Sequence, residues 1–195
     1  MLEFDPVQHL YKWDGIAVPS VTQILKPISD YDGIPRYIMD IAAERGNRVH
    51  KATELYDAGD LDEDSIDSEV AGYLEGWKKF RDSYGYSIAA CELRVFSIKK
   101  GYAGTLDRLL VKNDNYYLGD IKTTAIHVPS VGPQTAGYAA AVEEELGIKI
   151  KGRLSIRLLK DGKPEVVELK DRNDLGIFYN CLTIANWRKQ YHGHY

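Results

Sequence analysis

The feature of this sequence that most constrains its fold is a change in hydrophobic period near residue 85. Before it, apolar residues recur every three or four positions, which is the spacing of one face of an amphipathic α-helix. After it, they alternate with polar residues over 90–98, 102–112 and 116–123, with turn-forming residues between, as in half-buried strands. The chain therefore predicts a helix that leads into a three-strand antiparallel meander. The apolar helix positions are Ile66, Val70, Tyr73, Trp77, Phe80 and Tyr84.

The remaining patterns complete a mixed α/β domain. A hairpin is predicted over 9–20, and Ser20 is a suitable cap for a short helix that stops before Pro27. This order of elements favours a central mixed sheet flanked by helices, and 195 residues suit a single domain. We divide that domain into an N-terminal hairpin and short helix, 1–30, and a core, 31–195. Further helices are predicted over about 35–58, 132–146 and 172–190, and further strands over 149–159 and 164–169.

The composition excludes several classes of protein. Hydrophobic residues make up 44% of the chain and charged residues 28%, which is typical of a globular protein and not of a disordered or fibrous one. The sequence has no apolar run long enough for a membrane span, and its start lacks the features of a secretory signal. We therefore expect a cytoplasmic protein without a membrane partner. Cys91 and Cys181 lack metal-site spacing and are interpreted as small buried hydrophobic residues.

The net charge of −4 is unevenly distributed along the chain. The segment 57–69 contains seven acidic residues and no basic residue, so the rest of the chain carries +3. We interpret this segment as a solvated loop between helices. The charge of the whole chain therefore does not exclude nucleic acid as a partner.

Two strands of the meander carry charged residues where core residues are expected. Asp107 lies in the second strand, while Asp120 and Lys122 lie in the third and point to one face. The turn between the strands places Asp107 opposite Ile121 or one of its neighbours, so both carboxylates can reach one point. Carboxylates this close either share a proton or hold a cation, and hard oxygen ligands suit Mg²⁺ or Mn²⁺. The constellation indicates metal-assisted phosphodiester hydrolysis; the alternative is a surface salt bridge between Asp120 and Lys122.

Residues elsewhere in the chain can complete such a site. His50 and Glu54 lie four positions apart on one helix face, and so do Gln134 and Tyr138 on the helix after the meander. His50 is either a metal ligand or a structural histidine, and the second pair is either part of the site or a half-exposed polar pair. Glu92, in the first strand, is a ligand, a partner of a ligand or an edge charge, and we favour the last two.

Together these segments resemble the PD-(D/E)XK nuclease superfamily, and within it the RecB-like branch that includes phage-type exonucleases and the mitochondrial genome maintenance exonuclease. The resemblance covers most of the chain and rests on five short motifs in the expected order. It implies a restriction-endonuclease-like core, which agrees with the predicted elements. The motifs are VPSVTQIL (18–25), RGNRVH (45–50), GTLD (104–107), GDIKT (119–123) and QTAGY (134–138).

The resemblance also implies roles for residues of the meander and of the first long helix. His50, Asp107 and Asp120 look like metal ligands, and the backbone carbonyl of Ile121 often completes the set in this family. Lys122 resembles the catalytic lysine that positions or activates the attacking water. The metal implied is Mg²⁺ or Mn²⁺. An iron–sulfur cluster is not expected, because relatives that bind one carry four cysteines.

Other residues are implied to contact DNA or to support the site. Gln134 and Tyr138 match a Q-x-x-x-Y signature with that role, and we assign Glu54 and Glu92 to the same group. Basic residues are candidates for holding the DNA backbone, with binding that weakens as salt rises. They are Lys99, Lys100, Lys149, Lys151, Arg153 and Arg157.

The activity implied is that of a metal-dependent DNA exonuclease used in phage-type recombination, repair or DNA processing. Two alternatives stay open: an endonuclease of the resolvase or restriction type, and a catalytically silent nucleic-acid-binding module with the same fold. The partners implied are DNA and a single-strand annealing or recombination protein. Because ring-shaped relatives exist, an oligomer is also compatible with the resemblance.

Overall fold

The computed structural model describes residues 1–6, 8, 10–29 and 33–193, and its elements follow the predicted order. The predicted boundary at residues 30 and 31, the hairpin start at residue 9 and the last two residues of the core lie outside the described residues. Two short 3₁₀ turns cover Lys26–Ile28 and Glu63–Ser65. The helices are α1 (Val21–Ile24), α2 (Arg36–Ala58), α3 (Ser68–Tyr84), α4 (Val131–Leu146) and α5 (Asp174–His192). The strands are β1 (Leu2–Asp5), β2 (Leu10–Trp13), β3 (Ile16–Val18), β4 (Ser87–Ser97), β5 (Tyr102–Lys112), β6 (Asn115–Lys122), β7 (Ile150–Leu158) and β8 (Pro164–Glu168).

A five-strand mixed sheet forms the centre of the fold, in the order β4-β5-β6-β7-β8. The first three strands form the antiparallel meander, β7 joins β6 in parallel, and β8 runs antiparallel to β7. Helix α4 makes the crossover from β6 to β7, because parallel neighbours cannot be joined by a tight turn. The predicted α/β fold, with a mixed sheet and a three-strand meander flanked by helices, is therefore confirmed.

Helices cover both faces of this sheet. Helices α1, α4 and α5 pack on one face around residues such as Leu118 and Phe178. Helices α2 and α3 pack on the other face around residues such as Trp77 and Ile121. Because side chains alternate along a strand, β6 supplies apolar residues to both cores. Among the described helices, none has the length and apolar character needed to cross a membrane.

The N-terminal region is larger than the predicted hairpin. Strand β1 pairs with β2, so β1, β2 and β3 form a separate three-strand antiparallel sheet. Four residues are too few for alternation to be recognised in the sequence. This small sheet packs on the ends of β4 and β5, where the Trp13 ring stacks on Phe96 at a centroid distance of 4.2 Å. Ser20 caps α1 as predicted, in a reciprocal capping box with Gln23.

Most of the acidic segment 57–69 is the exposed connection between α2 and α3 that its composition predicts, but Asp57 is an exception. Asp57 lies in the last turn of α2, and its side chain is 1% exposed and ion-paired with Arg81 and Arg108. Asp67 caps α3 through its side chain. Composition alone cannot distinguish a solvated carboxylate from one that has a buried partner distant in the sequence.

Candidate metal centre

The charged residues of the meander meet at the end of β6. In the antiparallel register of β5 and β6, Arg108 pairs with Gly119. Asp107 and Asp120 are therefore the next two residues that face each other across the strands. Asp107 Oδ2 accepts a hydrogen bond of 2.6 Å from the backbone amide of Ile121. Asp120 Oδ2 lies 2.8 Å from Lys122 Nζ. The two strands therefore bring two acids and one amine into a common site.

Helix α2 and strand β4 add two further side chains to this site. His50 Nδ1 lies 3.6 Å from Glu92 Oε1 and 3.6 Å from Asp107 Oδ1. One potential ligand atom from each of these residues lies within 4.8 Å of the others. We call His50, Glu92 and Asp107 the ligand cluster. Asp120 is adjacent to the cluster but is not part of it.

A cavity of about 450 Å³ opens onto the ligand cluster. Glu54 lines it, as predicted from its place one turn after His50, and is ion-paired with Lys51 at 3.0 Å. Gln134 also lines it, and its Oε1 accepts a long hydrogen bond of 3.5 Å from Lys122. Tyr138 reaches the cavity but is 4% exposed and packs mainly in the core.

The charges in this confined site perturb one another. Burial lowers the pKa of His50, but the nearby charges of Asp107 and Glu92 outweigh it, and the net shift is upward. Burial raises the pKa of Asp120 to about 6, although the charge of Lys122 opposes the shift. Burial also raises the pKa of Tyr138 well above its ordinary value, so its hydroxyl stays protonated. The His50 imidazole is therefore stabilised in its charged form by the surrounding carboxylates.

The residues present fit a divalent cation. Asp120 Oδ1 is buried and has no hydrogen-bond partner among the described residues, and Asp120 Oδ2 has only the ammonium of Lys122. Glu92 Oε1 is also buried, and its nearest cationic nitrogens, on His50 and Arg108, lie 3.6 Å away. Buried polar atoms normally have a partner, and an ion is one way to supply it. Carboxylate oxygens with one imidazole suit Mg²⁺, Mn²⁺ or a similar divalent ion.

The backbone of Glu92 gives a second indication of a functional site. Its φ is +46° in the middle of β4, a conformation that residues other than glycine rarely adopt. Such strained residues cluster at functional sites, where the surrounding structure holds them. The sequence favours a supporting or edge role for Glu92, whereas in the structure its carboxylate lies within the ligand cluster.

Comparisons with known proteins bear on the fold. No family model and no curated protein matches the sequence. Among solved structures, the chain is similar to a protein of Eubacterium rectale described as a "putative exonuclease", with a TM-score of 0.52 and 16% identity, covering 75% of this chain. The chain therefore shares its fold with that protein over the matched part. It spans 65% of the length of that protein. The structure of SSO0001 matches with a TM-score of 0.39 and 14% identity, covering 77% of each chain.

Several of the basic residues predicted to hold DNA have acidic partners within the fold. Arg153 is ion-paired with Asp174 at 2.9 Å, and Arg157 is ion-paired with Glu165 at 2.6 Å. Arg153 thus has a structural partner at the start of α5, whereas Arg157 lies beside Lys122 in the strand register and its partner Glu165 is 52% exposed. DNA contact stays a prediction for both residues. Lys149 precedes β7, at the end of the strand opposite to the ligand cluster.

Sequence reasoning missed one buried charge beneath the site. Arg108 follows Asp107 in β5, and its side chain is fully buried. Alternation along the strand places it on the opposite face from Asp107, towards α2 and α3. An arginine at a core position was the available signal, because arginine is almost never fully buried unless it is paired.

Proposed function

We propose that this protein is a metal-dependent nuclease that degrades DNA from its ends. The observation that carries the proposal is the convergence of His50, Glu92 and Asp107 beside the Asp120–Lys122 pair. The fold shared with the Eubacterium rectale protein supports it at a coarser level. The finer parts of the proposal, DNA as substrate and attack from an end, rest on the motif resemblance.

The ligand cluster and Asp120 would hold Mg²⁺ or Mn²⁺, and the carbonyl of Ile121 stays a predicted further ligand. When bound, such an ion polarises a phosphodiester and lowers the pKa of a coordinated water. The ammonium of Lys122, held between Asp120 and Gln134, is placed to orient that water or to stabilise charge developing on the phosphate.

A second cavity gives the nucleic acid strand a path away from the site. It has a volume of about 190 Å³ and shares Thr22 and Gln134 with the larger cavity. Lys26, Ser29 and Ser130 also line it. The described lining of this second cavity includes no acidic residue, whereas carboxylates surround the ligand cluster. A phosphate next to the scissile one would therefore be more stable in the second cavity than over the acids.

The remaining expectations from the sequence are proposals of the same kind. They are an intracellular location, a single-strand annealing or recombination protein as partner, and an oligomeric assembly. The location rests on the sequence features given above, and the partner and the assembly rest on the motif resemblance.

The test is digestion of linear DNA labelled at its 5′ or 3′ end, single- or double-stranded, beside a covalently closed circle of the same sequence. With Mn²⁺, we expect loss of the linear substrates only, and no reaction in EDTA. Cleavage of the circle would favour an endonuclease. No cleavage of any substrate would favour a silent DNA-binding module.

A further inference from the structure

One guanidinium group contacts all three elements that supply the ligand cluster. Arg108 Nη1 donates a hydrogen bond of 2.8 Å to the backbone carbonyl of Asp107 and lies 3.6 Å from Glu92 Oε1. Its Nη2 donates a hydrogen bond of 2.9 Å to Thr53 Oγ1. Thr53 Oγ1 in turn donates a hydrogen bond of 2.9 Å to the backbone carbonyl of His50. Strand β5, strand β4 and helix α2 are thus connected through one planar group.

Residues of α2 and α3 hold the same guanidinium on the side away from the ligand cluster. Arg108 Nε lies 2.8 Å from Asp57 Oδ2, and its guanidinium carbon lies 5.1 Å from the centroid of the Trp77 ring. Asp57 Oδ1 accepts a hydrogen bond of 3.1 Å from Trp77 Nε1 and is ion-paired with Arg81. Asp57, shared with Arg81, offsets part of the charge of Arg108, and the Glu92 carboxylate lies on the other side of the guanidinium, so its repulsion of a cation in the ligand cluster is reduced.

We propose that Arg108 is a positioning residue for the metal centre, which sets the distances between His50, Glu92 and Asp107. The proposal rests on the proposed function. The three residues come from separate elements, so their relative positions depend on whatever connects those elements. A planar group with five donors in a fixed fork does this with little freedom, whereas an ammonium cannot reach all the same acceptors. Partners that orient metal ligands in this way strongly affect metal affinity.

Arg108 also stabilises the fold, so the experiment must separate stability from positioning. Arg153 provides a matched control, because its Nη1 donates to the carbonyl of Gly132 at 2.7 Å and its Nη2 is ion-paired with Asp174. Arg108→Lys and Arg153→Lys therefore each remove a guanidinium group with several hydrogen bonds. Arg108 contacts members of the ligand cluster, whereas the partners of Arg153 lie on α4, after β8 and in α5.

The measurement is calorimetric titration of each purified variant with Mn²⁺ alone, together with its urea midpoint. We expect both variants to lower the midpoint. Arg108→Lys should lower the affinity for Mn²⁺ by about 10- to 100-fold, while Arg153→Lys should keep the wild-type affinity. An unchanged affinity in Arg108→Lys, or an equal loss in both variants, would overturn the proposal.

If Arg108→Lys does not fold, two smaller substitutions, at Thr53 and Thr135, test the same proposal. Thr53 and Thr135 are both fully buried, both donate to a helix carbonyl, and each lies within hydrogen-bond distance of one of the two arginines. Thr53→Val should weaken Mn²⁺ binding and Thr135→Val should not, and equal affinities would overturn the proposal. If the wild-type protein binds no Mn²⁺, the proposed function itself fails and the inference fails with it.

Discussion

Asp107 on β5 accepts a hydrogen bond of 2.6 Å from the amide of Ile121 on β6, and its other carboxylate oxygen lies 3.6 Å from His50. One side chain thus connects the meander to helix α2. The neighbouring strand orients the carboxylate, and the helix brings the imidazole to it. The geometry of the candidate site therefore follows from the register of two strands and the packing of one helix.

Replacing Lys122 by alanine should abolish most of the nuclease activity without unfolding the protein. Its ammonium lies 2.8 Å from Asp120, and its side chain is 22% exposed, so alanine also removes a largely buried stem and should lower the urea midpoint while the protein stays folded. Removing one preorganised charge of this kind lowers kcat by about 100- to 1,000-fold. The check is the initial rate on end-labelled DNA at saturating Mn²⁺. Lys163→Ala, in the exposed β7–β8 turn, is the control and should keep full activity. An active Lys122→Ala enzyme would remove this lysine from the mechanism.

The stability of the metal-free protein should depend on the ionisation of Asp120. Burial raises the pKa of this carboxyl from 3.8 to about 6. The folded state therefore favours the protonated form, and this contribution to stability is complete below about pH 4 and is lost as the pH rises through 6. Asp120→Asn cannot ionise, so its stability should rise relative to wild type by about 2 kcal/mol between pH 4.5 and 7.5.

Urea unfolding in EDTA at those two pH values measures this difference. Titrating groups remote from the site are common to both proteins, so their effects cancel, and the difference reports Asp120 together with its interactions with His50, Asp107 and Lys122. A difference between wild type and Asp120→Asn that does not change with pH would show that the buried carboxyl carries no such penalty.

Gly104, which opens the GTLD segment, should not tolerate a side chain. A Cβ built there would lie 2.5 Å from Tyr138 Cε1 and 3.1 Å from Val21 Cγ2. Overpacking of this kind destabilises by about 1–3 kcal/mol, and it should also move Tyr138 away from the site. Gly176→Ala is the control, because a Cβ there meets no atom within 4 Å and alanine favours the helix. Equal urea midpoints for the two variants would contradict this account of Gly104.

The sequence was sufficient to predict those parts of the fold and site that local patterns specify. Alternation and the turn at 113–115 predicted that β5 and β6 pair, and so brought Asp107 near Asp120. The heptad-like spacing predicted α3, and the i, i+4 spacing placed Glu54 in the same cavity as His50. In each case the pattern has a direct geometric consequence.

Other parts depend on contacts that no local pattern encodes. The positive φ of Glu92 is imposed by its surroundings, because glutamate has no preference for it. Arg108 pairs with Asp57, which lies 51 positions away in the sequence. Asp57 belongs to the acidic segment 57–69, so its composition did not indicate a buried partner. The ligand cluster likewise required the packing of α2 against the sheet, which the sequence could not show.

Lys26 should contribute to DNA binding, whereas Lys149 should not. Lys26 lines the second cavity, which shares two residues with the cavity at the ligand cluster. Lys149 lines a different cavity, at the opposite end of β7. Fluorescence anisotropy with labelled single-stranded DNA at increasing KCl measures both effects. Lys26→Ala should weaken binding and reduce the slope of log affinity against log salt by about one. If Lys149→Ala has that effect and Lys26→Ala does not, the proposed strand path is wrong.

The most direct test of the metal centre is the amount of free Mn²⁺ that the protein removes, measured by electron paramagnetic resonance without DNA. Asp107→Asn can still accept the hydrogen bond from Ile121 but lacks the charge, so it should fold normally and bind Mn²⁺ at least about 10-fold more weakly. Asp161→Asn, on an exposed turn, should bind as wild type does. The predicted result is that wild type and Asp161→Asn bind Mn²⁺ strongly and that Asp107→Asn binds it weakly. Equal binding by all three proteins, or no binding by wild type, would contradict the account.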